Sequence, residues 1–282
     1  MGLGGSNPSP GAKSLVQARA LFRDSCHAET DSPLDYTKYS ECTEITARGD
    51  FARMPNAAML WTGGKDSSLA LYEAGTLGCD ISCLVTFAPR QERFLAHPVA
   101  FMRLQAQALG LPHYVLNIEE PFDVGYEDAI FSLKERQGVD TLVTGDIAEA
   151  VGHDQNWIEE RGANCGVEVV RPLWHRDRVE LLNKLLLLRF RAVFSCVKHP
   201  WFTDEWLGSE LSTNSVKRLS RISEKTGLDI CGEHGEYHTL VLDGPRFEKN
   251  IRIGSYSKHR AGSIMYIALE NPRLEDKAAC IL

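Results

Sequence analysis

The stretch Met59–Ala74 reads MLWTGGKDSSLALYEA. An apolar run gives way to two glycines, a lysine, an aspartate and two serines, and then to a helical pattern. If the apolar run is a buried strand, Thr62, Gly63 and Gly64 emerge at its carboxyl end, where open α/β sheets gather their ligands. Glycine allows positive φ and lets backbone N–H groups come close to oxygen atoms. A helix beginning near Asp66 to Ser68 would aim its unpaired N–H groups and the positive end of its dipole at the same place. Lys65 adds a point charge, and Thr62, Ser67 and Ser68 add hydroxyl donors. The stretch predicts a phosphate site; a glycine-rich turn capping a helix is the plainer alternative.

Around it the text alternates between short apolar strands and helices. AAMLW, DISCLVTFAP, LPHYVLNI, VDTLVTGDI, VEVVRPLW and RAVFSCV read as strands. SSLALYEAGTLG, VAFMRLQAQALG, YEDAIFSLKERQG, NWIEERGAN and RVELLNKLLLLRF read as the helices between them. Such alternation predicts an α/β fold, a doubly wound parallel sheet covered on both faces through right-handed crossovers. After Lys198 the rhythm changes. WLGSELSTNSVKRLSRISEKTG offers a helix capped by Ser212 or Thr213, and GEYHTLVLDGP, KNIRIGSYSKHRAG and SIMYIALE offer strands. The expected division is a partly ordered extension over 1–55, a phosphate-binding domain over 56–199, and a smaller C-terminal α+β subdomain over 200–282 that handles substrate and ends in a flexible tail. Met54, just ahead of the first strand, is an alternative start.

A formal net charge of -7 leaves no global basic field for nucleic acid or an anionic membrane, so neither is an expected partner. The eight cysteines form no CxxC pair and show no zinc-ribbon spacing, which reads as a reduced, cytoplasmic chain. VELLNKLLLLRF is interrupted by Asn183 and Lys184 and is too short to span a bilayer. The opening residues lack the basic-then-apolar pattern of a signal peptide.

The loop is neither the Walker pattern GxxxxGK[ST] nor GxGxxG. GGKDS resembles the PP-loop of ATP pyrophosphatases, written SGGxDS, with Thr62 in place of the first serine. That resemblance implies cleavage of ATP between the α and β phosphates, the loop holding the departing pyrophosphate. A second stretch, ICGEHGEYHTLVLDGP from Ile230 to Pro245, resembles the GExGEYxTLVxDxP signature of the diphthine–ammonia ligase family. CLVTFAP, LQAQALGLP, GVDTLVTGDIA, RPLW and DEWLG agree, so the resemblance runs from about Ala57 to Ile253. The segment GDIAEAVGHDQNWIEERGANCG departs from the family pattern, which carries a YQ-containing helix there. The acceptor therefore stays open between elongation-factor diphthine and an unknown small molecule.

The resemblance implies adenylation of a carboxylate by ATP, followed by attack of ammonia to give an amide. Magnesium and hydrogen-bond donors would screen the charge at the α-phosphorus. The implied cofactor-binding set is Thr62, Gly63, Gly64, Lys65, Asp66, Ser67, Ser68, Thr86, Gly145 and Asp146. Asp66 either positions Mg2+ or caps the helix. Gly145 and Asp146, ending a strand on the ligand side, suit ribose or adenine, or else another cap. Glu233 and Glu236 join Lys65 and Asp66 as the catalytic set, either as magnesium ligands or as acceptors for ammonium.

A strand period of two through GEHGEYHTLVL would put His234, Glu236 and His238 on one face and Glu233 and Tyr237 on the other. A zinc site from the two histidines and Glu236 is a minor alternative, and a solvated strand the plainest. Glu92, His97, His234, Tyr237 and His238 form the implied substrate-binding set. Trp157, Glu159 and Arg161 lie in the divergent segment and could touch the acceptor, although a solvated helix face explains them too. ATP, ammonium and a carboxylate acceptor are the expected partners, with a homodimer admitted. The competing functions are an adenine-nucleotide-binding regulator without turnover and a tRNA-modifying PP-loop enzyme.

Overall fold

Strand β1 (Asn56–Leu60) is short, and its Ala57, Ala58 and Met59 are fully buried. A strand hidden on both faces belongs at the centre of a parallel sheet. The computed structural model of the chain describes residues 54–89, 94–148 and 157–277. β1 runs parallel to β2 (Asp80–Pro89) on one side and to β4 (Thr141–Val143) on the other. With β3 (His113–Ile118) and β5 (Glu168–Val170), the five-stranded order is β3-β2-β1-β4-β5. The order reverses between β1 and β4, which places a ligand crevice beyond the carboxyl ends of those two strands.

Alternation along β1 sorts the helices. Ala57, Met59 and Trp61 pack with α1 (Lys65–Thr76) and α2 (Val99–Ala108). Ala58 packs with α3 (Phe122–Gln137) and α4 (Trp157–Asn164) on the other face. The doubly wound sheet expected from the alternation is therefore present. No helix among the described residues is long and apolar enough to cross a membrane.

One expected strand moves. RAVFSCV forms β6 (Arg191–Lys198), but it does not complete the parallel series. It pairs antiparallel with β7 (Tyr237–Asp243) and with β10 (Ile264–Glu270), in a four-stranded sheet of order β7-β6-β10-β9, where β9 is Ser255–Ala261. A strand pattern alone does not state its partner, and β6 is as thoroughly buried as a central parallel strand. Helix α5 (Arg178–Leu187) makes the passage between the sheets. Helix α6 (Thr213–Thr226) is capped by Ser212, whose hydroxyl accepts from the Ser215 N–H at 3.2 Å. β8 (Lys249–Arg252) and β11 (Arg273–Asp276) form a separate ribbon.

The second sheet packs where the first leaves α1 uncovered. Helix α1 touches β1 and β4 on one side and β7 on the other. That explains why Ser67, Ser68, Leu69, Ala70, Leu71 and Ala74 are all buried in one short helix.

Thr86, on β2, donates its hydroxyl proton to the Trp61 carbonyl at 2.7 Å and lies 2.9 Å from His113 Nε2. With that proton committed, the hydroxyl oxygen accepts from Nε2–H. A second proton on His113 would have to sit on Nδ1, which is buried without a hydrogen-bond partner. Burial, with Arg103 nearby, accordingly lowers His113 to about 4 from 6.5. The unfolded chain takes up this proton first, so the stabilisation is complete above pH 6.5 and is lost as pH falls toward about 4. Urea unfolding of the wild type should therefore show a steeper acid loss across that window than His113→Gln, which retains a donor for Thr86. Parallel curves would remove His113 as the cause.

Candidate active site

The chain leaves β1 through Thr62, Gly63 and Gly64, and α1 begins at Lys65. Gly63 has φ +74°, and its carbonyl accepts from the Val241 N–H at 3.0 Å and from Gln105 Nε2 at 2.8 Å. Gly64 is the N-cap and has no side chain to offer, and Asp66, inside the first turn, accepts from Lys65 Nζ with both oxygens. Thr62 Oγ1 and Ser67 Oγ lie 3.1 Å apart, and the Ser67 hydroxyl donates to the Gly64 carbonyl at 3.1 Å. The Ser68 hydroxyl, in the first turn, is buried without a partner among the described residues.

Lys65 does not stand out into the crevice as a free charge. Its backbone N–H donates to Thr239 Oγ1 on β7 at 3.0 Å. Its ammonium is buried, donates to both Asp66 oxygens at 3.0 and 2.8 Å and to the Cys231 carbonyl, and lies 5.1 Å from the centre of the Tyr237 ring. Burial alone would lower its pKa, but Asp66 and the neighbouring Glu233 and Cys231 outweigh that and raise it, so Lys65 stays charged.

The stretch expected to run as a strand from Gly232 is a turn as far as Glu236, and β7 starts at Tyr237. Gly232 and Gly235 both have positive φ, +76° and +77°, which breaks the period-two alternation. The strand faces expected for the two glutamates therefore have no strand to apply to, and both side chains are buried: Glu233 is 5% exposed and Glu236 3%. Glu236 fastens the turn. Its Oε1 accepts from the Asp229 N–H at 3.1 Å, its Oε2 from the His234 N–H at 2.9 Å, and His234 Nδ1 is 3.5 Å from Oε1. The Tyr237 hydroxyl donates to the Ile230 carbonyl at 2.7 Å, and burial pushes its own proton loss well upward. Among the described residues no group of three His, Cys, Asp or Glu side chains could hold a metal, so the His234–Glu236–His238 zinc alternative has no support.

Other expected residues gather around the same loop. The rings of His97 and His238 meet edge to face at 5.2 Å, and a Cβ on Gly64 would lie 3.1 Å from His97 Cε1. Gly145, following β4, abuts the first turn of α1: a Cβ there would lie 2.7 Å from the Ser67 nitrogen. The Asp146 N–H donates to Thr144 Oγ1 at 3.3 Å. Thr86 has its hydroxyl engaged inside the sheet, as described above. In α4, Arg161 bridges Glu127 and Glu160, and Glu159 pairs with Arg171. Glu92 lies outside the described residues.

Sequence reading missed Gln105, Asp229 and the hydroxyl of Thr239. Gln105 did leave a signal, because it falls on the buried side of α2 with Phe101, Met102 and Ala106, where an apolar residue would be expected.

A parallel sheet whose first strand runs through a glycine-rich loop into a helix N-terminus, beside the reversal of strand order, defines a phosphate-binding α/β protein. Family models narrow that class, with the diphthamide synthase N-terminal domain matching residues 55–169 and the diphthamide synthase C-terminal domain matching 177–273. The chain belongs to the diphthamide synthase family. Diphthine–ammonia ligase of Danio rerio is 29% identical over 221 residues, 69% of this chain and 84% of that protein. The ligase of Bos taurus is 26% identical over 252 residues, 79% and 93% of the two chains. That of Schizosaccharomyces pombe is 26% identical over 235 residues, 75% of this chain but 38% of its own length. Among solved structures, a "predicted subunit of tRNA methyltransferase" from Methanocaldococcus jannaschii aligns with 67% of this chain and 97% of its own, at 18% identity and a TM-score of 0.39.

Two outcomes follow from this geometry. Gly145→Ala sets a Cβ against main chain, which cannot rotate away, and should cost about 1–3 kcal/mol in urea unfolding; an unchanged midpoint would mean that the first turn of α1 yields. The Glu236 hydrogen bond raises the pKa of His234 above 6.5, so its stabilisation is complete below pH 6.5 and fades as pH rises through the higher folded value. His234→Gln should therefore be most destabilised relative to wild type on the acid side of neutrality, with the gap narrowing toward alkaline pH. A gap that widens with pH would contradict the pairing.

Proposed function

We propose that the chain is an ATP-dependent, AMP-forming amide ligase of the diphthine–ammonia type. The observation that carries this is the meeting of the glycine loop with the 229–236 turn, through Lys65, Asp66 and the carbonyl of Cys231. A loop suited to phosphate and the turn that carries two buried glutamates, far apart in sequence, are joined at one ammonium.

The first-turn N–H groups of α1 beyond Lys65, whose own N–H is taken by Thr239, form the cradle for the departing pyrophosphate with the hydroxyls of Thr62, Ser67 and Ser68 and the glycine backbone. Its fit is supported by the unpartnered Ser68 hydroxyl and by the main-chain contact at Gly145, which leaves no room for a side chain. The acceptor carboxylate attacks the α-phosphorus, the α–β bridge breaks, and pyrophosphate leaves on the loop. Ammonia then attacks the acyl carbon, AMP departs, and the nitrogen sheds protons to give the amide. Two anions must first be brought together, so orientation supplies much of the rate.

Asp66 and Glu233 are the hard oxygen donors that would hold Mg2+, which typically takes one or two protein carboxylates together with substrate phosphates. When bound, that ion screens charge at the α-phosphorus. Glu236, both of whose oxygens already accept from the backbone, shapes the turn. His97 and His238, beside Gly64, face the acceptor. The acceptor we favour is the diphthine of elongation factor, with free ammonium as nitrogen donor and a cytoplasmic setting.

ATP labelled at the α-phosphate, incubated with Mg2+, ammonium and diphthine-bearing elongation factor, should yield labelled AMP only when the acceptor is present. Asp66→Ala and Glu233→Gln should each slow AMP release by about 10²-fold or more. Labelled ADP would mean cleavage at the other phosphate bond and defeat the reading. ATP binding without turnover against any acceptor would leave a nucleotide-binding regulator instead.

A further inference from the structure

We infer that Gln105 is a positioning residue for ATP, one that sets the glycine loop from behind by clamping it to strand β7. The inference rests on the phosphate role proposed for that loop. Gln105 lies on α2, away from both signature stretches, and is 0% exposed. Its Nε2 donates to two carbonyls belonging to different halves of the chain, Gly63 at 2.8 Å and Val241 at 2.8 Å. Both amide protons are thereby used. The Val241 N–H also reaches the Gly63 carbonyl, at 3.0 Å, so loop, helix and strand meet at one oxygen.

The other end of the amide shows what this arrangement gives up. Gln105 Oε1 is buried without a partner among the described residues. It lies 2.1 Å from where a Cβ on Gly63 would stand. A buried acceptor left unsatisfied is a penalty that a leucine or methionine of similar size would not incur. Packing alone therefore favours an apolar residue here. What the amide supplies is direction: it holds the Gly63 carbonyl toward β7 at the loop's positive φ, and the trans peptide then aims the Gly64 N–H the other way, toward Thr62 Oγ1 at 3.4 Å.

Gln105 touches neither ATP nor the reacting atoms in this account. Its effect must come through the loop, and loop contacts to phosphate are made in the ground state and the transition state alike. Loss of such binding raises KM while leaving kcat nearly unchanged.

The test compares wild type, Gln105→Leu, Gln105→Met and Ile130→Val, the last being a core change in α3 on the opposite face of the sheet. ATP affinity is measured by calorimetry, KM and kcat by AMP release, and stability by thermal unfolding. The expected result is a loss of ATP affinity of about tenfold in the Gln105 variants, with a matching rise in KM and kcat within about threefold. Ile130→Val should leave ATP affinity unchanged even where its melting temperature falls as far. Folded Gln105→Leu or Gln105→Met that binds ATP as wild type does would overturn the inference. So would an equal affinity loss in Ile130→Val at matched stability. If the wild type itself binds no ATP, the phosphate reading of the loop fails, and this inference falls with it.

Discussion

A buried ammonium is tolerable only when its protons are taken up, since desolvating an unpaired charge costs several kcal/mol. Lys65 meets that requirement with groups from two distant parts of the chain: the carboxylate of Asp66 beside it and the carbonyl of Cys231 in the turn before β7. If either moves away, the charge is stranded. The pairing therefore fixes where the second sheet docks, and with it the side from which the two glutamates of the turn reach the loop. Thr239, accepting from the Lys65 N–H, and Val241, donating to the Gly63 carbonyl, repeat the same connection along β7.

Much of the fold was legible because local pattern and global role coincide. Ala57, Ala58 and Met59 need burial on both faces, and only a central strand provides it. Loop and helix follow in sequence with no intervening choice, so GGKDS could be placed at the carboxyl end of β1 from the text alone. The motif around Glu233 was legible by resemblance, but its shape was not. A period-two reading treats Gly232 and Gly235 as ordinary strand positions, whereas both take up positive φ and turn the backbone before β7 begins.

What escaped was long-range pairing. β6 looks like one more parallel strand, because burial on both faces is all that its sequence records. Its partners β7 and β10 come later in the chain, and nothing in RAVFSCV states that they run antiparallel to it. Gln105 escaped for a related reason. A glutamine on the inner side of an amphipathic helix signals a buried hydrogen bond, yet the two carbonyls it serves lie 42 and 136 residues away. Lys65 reads as a charge for phosphate, the usual use of a lysine after glycines, and its bond to the Cys231 carbonyl appears only once the second sheet is in place.

The insertion of α1 between the two sheets bears on how such a chain can be inherited. The family models divide it between residues 169 and 177, as though two modules had been joined end to end. The hydrogen bonds of the loop ignore that division. Separated from the second module, the first would keep the residues of its glycine loop, but the Lys65 N–H would lose Thr239, the Lys65 ammonium the Cys231 carbonyl, and the Gly63 carbonyl the Val241 N–H. Exchange of either half with that of a distant relative would have to preserve the contact surface of β7 as faithfully as any residue that meets substrate. The two modules are thus constrained to descend as a pair.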